Sequence, residues 1–330
     1  QVSISTGRPI AVLAAYDQGA PLVAGTQRAD LAALEANTPA LGAWDWCSGA
    51  EGVFVRLGSP PAGTLTCDAC EGETAADRSV ARLIRVLMTG PGGLGSADLD
   101  EDSIADLHDR NPAEAGLWLG TQDRKLGQVL DDLCRSIGAW WVPDRNGRFR
   151  VGRLEAPDPA AAVATLESWQ ALDRGGGVEI LAGRDQGAGL PVWRVGVGYA
   201  RNFTATRESE VAGSVSPERK AWLAEELRQA VAEDQAVREL HPLAAELTIQ
   251  TLLLERTAAE AEAARLLALH GVGRDHVELR LPAVMAAALD LAQVVILKLP
   301  RFGWQAGKSF RVLGIVEDLE HDAAVLELWG

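Results

Sequence analysis

The stretch RFGWQAGKSFRVLGIVEDLEHDAAVLELWG (residues 301–330) decides the fold, because apolar and polar side chains alternate on both sides of a short acidic break. The alternation predicts two strands of a β-hairpin, and residues 294–299 predict a third strand before it. One face of the first hairpin strand is expected to carry Phe310, Val312 and Val316, and the other Arg311, Leu313, Ile315 and Glu317. Both faces are largely apolar, so we expect a barrel or sandwich strand covered on both sides.

Composition narrows the class of protein. A length of 330 residues favours two or three domains. The formal net charge of -15, from 31 basic and 46 acidic residues, argues against a basic nucleic-acid-binding face. The most apolar run, residues 284–299, is interrupted by Asp290 and is too short to span a bilayer. The chain starts at Gln1, which indicates processing or a longer parent.

Residues 1–72 are predicted to be β-rich. Strands are expected at residues 10–15, 53–57 and 64–70, with a short helix at 29–36.

Residues 73–175 are predicted to form a small inserted α+β module. Helices are expected at 74–88, with Thr74 as N-cap, and at 126–136, with Gly138 at the C′ position. Asn146-Gly147 predicts a hairpin directly after the second helix. The acidic stretch after Gly95 is expected to be a linker.

The rest of the chain is predicted to hold strands and two helices. Residues 176–242 are expected to link the parts, with a strand at 192–199 and one helix from Ser216 to about Leu240. Residues 243–330 are expected to form strands and one helix, at 255–269. The stretches PDPAAA and DRGGG between 156 and 190 indicate turns. The expected fold class is therefore α+β and β-rich, with barrel or sandwich sheets.

Three motifs resemble functional signatures but lack their context. GPGGLG (90–95) matches a dinucleotide fingerprint, yet it follows a predicted helix, so a loop is expected. Cys67 and Cys70 form a lone C-x-x-C on a predicted strand, where the sulfur atoms would point to opposite faces. DLDED (98–102) resembles the start of a calcium loop but has Ser103 where glycine is required, so a solvated linker is favoured.

Catalytic residues are not singled out by the sequence. A Cys–His hydrolase built on Cys134 would need an exposed thiol, whereas Cys134 lies on an apolar helix stripe. The histidines are scattered along the chain, at His108, His241, His270, His276 and His321. We therefore expect no catalytic, cofactor-binding or metal-ligating residues, and a scaffold rather than an enzyme.

Four stretches carry a resemblance to a known family. LGQVLDDLCRSIGAWWVPDRNGRFRVGRLEAP (126–157) is similar to a helix-hairpin module in tail proteins of tailed bacteriophages and gene transfer agents. VWRVGVGYARNFT (192–204), the ending at 299–330 with its final Leu-Trp-Gly, and RLGSPPAGTLTCDACEG (56–72) resemble other stretches of the same proteins.

The resemblance implies a virion structural protein at the distal end of the tail, in a baseplate hub or tail tip. Such hubs are homotrimers whose tube-like β-barrels continue the tail tube, and further N-terminal regions are common in them. The resemblance therefore implies that residues 1–72 are part of a first barrel and that residues 243–330 form a C-terminal β-barrel. The implied partners are tail-tube, tip and fibre proteins, with no cofactor, no specific nucleic-acid binding and no membrane span. Trp304 and Trp329 are the predicted interface residues.

Two other functions stay open at the level of sequence. The first is a tail-associated hydrolase of cell wall or capsule, which predicts a cleft with paired carboxylates or a Cys–His pair. The second is a carbohydrate-binding receptor module, which predicts several exposed tryptophans.

Overall fold

The computed structural model describes residues 2–5, 10–49, 52–72, 74–119, 124–172, 177–181, 189–318 and 320–330. Within these ranges the chain is a sheet-rich mixed α/β protein with short helices, so the predicted β-rich α+β class is confirmed. The described strands form five sheets whose strand orders are all open, and barrel closure stays a prediction. None of the described helices is long and apolar enough to cross a membrane.

The N-terminal part of the chain forms two small sheets that share one core. Its elements are β1 (Val2–Ser5), β2 (Ile10–Asp17), β3 (Ala20–Pro21), β4 (Val23–Gln27), α1 (Leu31–Ala36), β5 (Ala43–Gly49), β6 (Gly52–Leu57) and β7 (Leu65–Glu71). The strand orders are β1-β6-β5-β4 and β3-β2-β7. Val12 of one sheet packs with Trp44 and Val55 of the other in this core. The predicted strands and short helix are confirmed.

A second core lies in the α+β module. Its elements are α2 (Val80–Thr89), α3 (Glu101–Arg110), α4 (Leu126–Arg135), β8 (Ala139–Pro143) and β9 (Phe149–Arg153). Ile84, Leu107 and Leu133, one from each helix, are completely buried in this core. Gly138 and Gly147 have φ values of +63° and +80°, the left-handed region that the predicted helix end and hairpin turn require. The helix-hairpin prediction is confirmed.

The remaining elements build two further sheets. In chain order they are β10 (Ala162–Glu167), β11 (Val178–Ile180), β12 (Val192–Tyr199), α5 (Pro217–Ala224), β13 (Arg228–Glu233), α6 (Gln235–Leu240), β14 (Ala245–Gln250), α7 (Arg256–His270), β15 (His276–Pro282), α8 (Ala283–Ala286), β16 (Val294–Lys298), β17 (Lys308–Asp318) and β18 (Ala323–Trp329). One sheet has the order β13-β12-β14, and α7 packs against it. The other has the order β10-β16-β17-β18-β15-β11.

The six-stranded sheet contains the predicted C-terminal hairpin, β17 and β18. Leu281, Leu297, Phe310 and Leu326 point to one face of it and are completely buried. The alternation predicted for the last strand is confirmed, since Ala324, Leu326 and Leu328 all lie in this core. Of the two turn-rich stretches, DRGGG lies outside the described residues except for Gly177.

The prediction that Val316 shares a face with Phe310 and Val312 is wrong, because β17 contains a bulge. The register with β18 shifts between Val312 and Gly314, so that Gly314 pairs with Glu327 and Ile315 with Leu326. An extra residue reverses the faces of every later side chain in a strand. Ile315 therefore packs on the core, while Val316 is 66% exposed.

The single helix predicted from Ser216 to Leu240 is also wrong, because a strand interrupts it. Ser216 does cap α5, accepting a hydrogen bond from the Arg219 amide at 3.3 Å, but α5 ends at Ala224. β13 then pairs antiparallel with β12, and α6 follows. The residues of β13 favour a helix by their local propensity. They form a strand instead because β12 supplies backbone hydrogen-bond partners and α7 covers Ala230.

The helix predicted at 74–88 begins later than expected. Thr74 and Asp77 form the predicted capping interaction, but around a single 3-10 turn at Ala75–Arg78. Ser79 then caps α2, accepting a hydrogen bond from the Arg82 amide at 3.4 Å. The two consecutive caps explain why the apolar stripe starts only at Val80.

Candidate functional site

The cysteines do not form a reactive centre in the described part of the chain. Cys67 and Cys70 lie three positions apart on β7, so their side chains point to opposite faces, as predicted. Burial, together with the charge of Asp131, raises the pKa of Cys134 to about 12, so its thiol is protonated at neutral pH. The described residues contain no group of three or more His, Cys, Asp or Glu side chains arranged to hold a metal ion.

The two loop motifs have structural roles. Residues 90–95 follow α2 and run into a 3-10 turn at Ser96–Asp98, so they lack the strand-to-helix context of a phosphate site. The acidic stretch 98–102 is not the predicted linker, because it starts α3. Asp100 caps that helix through the Ser103 amide at 3.3 Å, and Glu101 forms an ion pair with Arg85. Acidic residues in a first helical turn are favoured by the helix dipole.

The scattered histidines do not form one cluster among the described residues, although His270 and His276 line the same cavity. His241 caps the C-terminus of α6 and His270 is the last residue of α7. The other three have separate partners: His108 Nδ1 lies 2.8 Å from Ser79 Oγ, His276 Nε2 lies 2.7 Å from Glu327 Oε1, and His321 Nδ1 lies 3.0 Å from Asp318 Oδ2. Ser79 is completely buried and caps α2, so its contact with His108 stabilises the helix start.

The two predicted interface tryptophans are both buried within the chain. Trp304 is 4% exposed and packs edge-on against Phe310, with ring centroids 5.0 Å apart. Trp329 is 3% exposed and contacts both the His270 ring, with ring centroids 5.8 Å apart, and the Arg274 guanidinium, 5.1 Å from the indole centroid. Contact with another chain stays a prediction for both. Three exposed tryptophans that the sequence analysis did not single out are Trp118, Trp169 and Trp222.

One segment combines open backbone edges with exposed apolar side chains. We call residues 162–172 and 177–181 the edge segment, because they hold β10 and β11, the two outer strands of the six-stranded sheet. Trp169 is 71% exposed, and Val163, Leu172 and Ile180 are also exposed. An outer strand presents unpaired N–H and C=O groups that another strand can bind. The edge segment therefore has the properties of an assembly surface.

A buried ion-pair network joins α7 to the α+β module. The Glu262 side chain is completely buried and accepts hydrogen bonds from Arg153 Nη2 and from Arg265 Nε and Nη2, the last at 2.7 Å. The same two arginines donate to the carbonyl oxygen of Ile137 at the end of α4. The pKa of the Arg153 guanidinium is lowered overall, because burial is the largest influence on it. The charge of Glu262 opposes this shift. The network fixes helix α7 against the hairpin β8–β9.

Beside this network lies a cavity of about 550 Å³, bounded by the hairpin, by α7 and β14, and by the outer face of the six-stranded sheet. The apolar wall includes Trp140, Trp141 and Leu313. The lining also includes Arg135, Arg265, Arg311, His270 and His276, and no Asp or Glu from the described part of the chain. In a protein of net charge -15, this is a locally basic pocket.

Comparisons with known proteins yield fold similarities only. Neither a protein-family model nor a curated protein sequence matches the chain. Among solved structures, the chain is similar to a component of the virion of a native gene transfer agent particle. That match has a TM-score of 0.52 and 17% identity, and covers 99% of this chain and 76% of the other.

Two tail-protein structures match with lower scores. A tail protein from Neisseria meningitidis MC58 has a TM-score of 0.41 and 16% identity over 70% of this chain and 66% of its own. A prophage MuSo2 43 kDa tail protein from Shewanella oneidensis has a TM-score of 0.39 and 10% identity over 84% and 78%. The predicted resemblance is confirmed at the level of fold by the match to the gene-transfer-agent virion component.

Proposed function

We propose that the chain is a non-enzymatic structural protein of a virion, located in the hub or tip at the distal end of a tail. The observation that carries this proposal is the fold similarity to a component of a gene-transfer-agent virion, which extends over 99% of the chain. A similarity that covers the chain end to end involves all the sheets rather than one common module.

The proposed assembly is a homotrimeric ring. In this ring the six-stranded sheets act as tube-like barrel walls, and the outer strands β10 and β11 contact neighbouring chains. The open strand order and the exposed side chains of the edge segment support this arrangement, because exposed apolar edges need covering. Trp304 and Trp329 are also proposed to lie close to the contact between neighbouring chains.

The ring joins the tail tube to tip and fibre proteins and lets DNA pass through its centre. The net charge of -15 supports the second role, because a wall of the same sign as DNA does not retain it. The proposed domain division is 1–72, 73–175, 176–242 and 243–330. The separate cores of the N-terminal sheets and of the α+β module support its first boundary.

The test is the mass of the purified full chain in solution, measured by mass photometry or light scattering. The proposal predicts the mass of three 35.0 kDa chains. Trp169→Asp, in the edge segment, is expected to shift the population to monomers, since it places a charge in the proposed contact. Val272→Asp is the matched control, because Val272 is also exposed and apolar but lies outside the edge segment.

Two results would contradict the proposal. One is a strictly monomeric chain inside an intact, isolated tail tip. The other is lysis of peptidoglycan or capsule by the purified chain, which would favour the hydrolase alternative instead.

A further inference from the structure

The basic cavity between the hairpin and the six-stranded sheet contains a cation without an acidic contact. Arg311 Nε donates to Glu155 O at 2.9 Å, Nη1 to Ala292 O at 2.5 Å, and Nη2 to Ala156 O at 3.2 Å. All three acceptors are neutral backbone oxygens. Within the described residues, no carboxylate oxygen is in ion-pair contact with this guanidinium. Two of its five N–H groups remain available for another acceptor.

The position of Arg311 makes this lack of a counter-ion costly. Burial lowers the pKa of Arg311, although the more distant charge of Glu155 partly opposes the effect. The Arg311 side chain is half-buried, and a charge that is partly removed from water is favoured by pairing, because part of its desolvation cost is otherwise uncompensated. An anion in the cavity would supply the missing pairing.

The strand register places a second polar group on the same face of the sheet. Trp329 of β18 pairs with Arg311 of β17 on one side and with His276 of β15 on the other. Adjacent strands lie about 4.8 Å apart, so the Cα atoms of Arg311 and His276 are about 10 Å apart, with the indole between them. All three residues line the cavity.

His276 contributes an unsatisfied ring nitrogen. The residue is 5% exposed, and its Nε2 contacts Glu327. Its Nδ1 has no hydrogen-bond partner among the described residues. A buried polar atom without a partner is uncommon in folded proteins and often marks an absent ligand or water.

The remainder of the wall is suited to an apolar ligand body. Beside the Arg311–Trp329–His276 row, the lining includes Trp140 and Trp141 of the hairpin and Leu313 of β17, together with other apolar side chains of β14 and α7. The volume of about 550 Å³ lies within the range of small-molecule sites, which combine an apolar lining with a few polar groups. The side chain of Arg135 lines the cavity and is 60% exposed, so the cavity reaches solvent there.

We propose that this cavity binds an organic monocarboxylate with an apolar body, such as a fatty acid, with its carboxylate on Arg311 and its body against the tryptophans. The site is independent of the proposed role in the tail, because it rests on residues within one chain. It is also separate from the edge segment.

The test titrates the full-length chain with dodecanoate and follows the tryptophan fluorescence, since three tryptophans line the cavity. Saturable binding is expected, with a rise in the melting temperature as binding stabilises the folded state. Dodecanol, which has the same chain length without charge, is expected to bind at least about tenfold more weakly, because a charge-assisted hydrogen bond is lost.

Two variants and one control locate the site. Arg311→Gln is expected to weaken dodecanoate binding about tenfold or more. Since Arg311 also holds three carbonyl oxygens, a second variant leaves it intact: Leu313→Trp fills the cavity and is expected to abolish binding. Val316→Trp is the control, because Val316 lies on the same strand, is exposed and is not part of the cavity lining.

Three results would overturn the proposal. The first is no saturable binding of dodecanoate to the folded chain, which would make the cavity a packing gap. The second is equal affinity for dodecanol and dodecanoate, which would exclude recognition of the anion. The third is unchanged binding in Leu313→Trp, which would place the ligand elsewhere.

Discussion

Replacing Glu262 with glutamine tests the ion-pair network that holds α7 against the α+β module. The carboxylate of Glu262 is completely buried and contacts two guanidinium groups, of Arg153 and Arg265, whose side chains are 7% and 17% exposed. Glutamine has nearly the same shape but no charge, and its amide N–H groups face the two cations. The substitution therefore removes the nearest counter-ion of both cations and leaves them only Glu155, at 3.8 Å from Arg153 and 3.9 Å from Arg265.

The expected loss follows from that geometry. Breaking a buried ion pair by removing one partner costs about 3–5 kcal/mol in the free energy of unfolding. We expect Glu262→Gln to fall in this range. The measurement is urea unfolding at pH 7, followed by tryptophan fluorescence and by circular dichroism, because a chain with several cores can unfold in more than one step.

The matched control lies on the same helix. Glu260 forms an i, i+4 pair with Arg256 at 2.7 Å, and both side chains are largely exposed. Glu260→Gln is expected to cost less than about 0.5 kcal/mol, since exposed pairs of this spacing contribute little. If the two variants had equal stability, the network would not be a structural link and the reasoning would be refuted.

Three further predictions concern other parts of the chain. Phe310→Ala is expected to lower the free energy of unfolding by about 3–5 kcal/mol, because Phe310 is completely buried. Urea titration measures the loss. A loss under about 1 kcal/mol would contradict the prediction and would mean that neighbouring side chains fill the space left by the ring. Burial alone would raise the pKa of Asp45, but hydrogen bonds from Thr26, Arg28 and Asn37 lower it overall. Wild type should therefore exceed Asp45→Asn in stability most at pH 7, and the difference should shrink as the pH falls below about 4 towards the lowered folded-state pKa. A difference that stays constant from pH 7 to pH 2 would contradict this. Because the pKa of the Cys134 thiol is raised to about 12, iodoacetamide is expected to alkylate this residue only after the chain unfolds. Peptide mass spectrometry measures the alkylation, and rapid alkylation of the folded chain at pH 8 would disprove the prediction.

Local signals in the sequence predicted the elements that are stabilised locally. The helix Leu126–Arg135 and the hairpin after it carry their own apolar stripe, helix end and turn residues, so no distant partner was needed to predict them. β13 was missed because Arg228–Glu233 has helix-favouring residues and extends only through pairing with β12. The start of α3 could have been found, since Asp100 followed by Glu101 and Asp102 is a typical N-terminal helix pattern.

The cavity could not have been predicted from the sequence, for a physical reason. Arg311, Trp329 and His276 form a row only through the register of three strands. β17 also contains a bulge at Val312–Gly314, which the alternation missed although a glycine inside a strand is a known bulge signal. The opposite wall comes from a hairpin more than 100 residues earlier in the chain. Register between distant strands is set by the whole core, whereas sequence periodicity reports only the faces of one strand.

The most direct test of the proposed function is a cryo-electron microscopy reconstruction of the intact tail that contains this chain. The account predicts three copies around the tail axis at the distal end, with β10 and β11 of each chain in contact with its neighbours and a continuous central channel. A map in which the chain is absent from the tail, or present as an isolated monomer away from the axis, would contradict it.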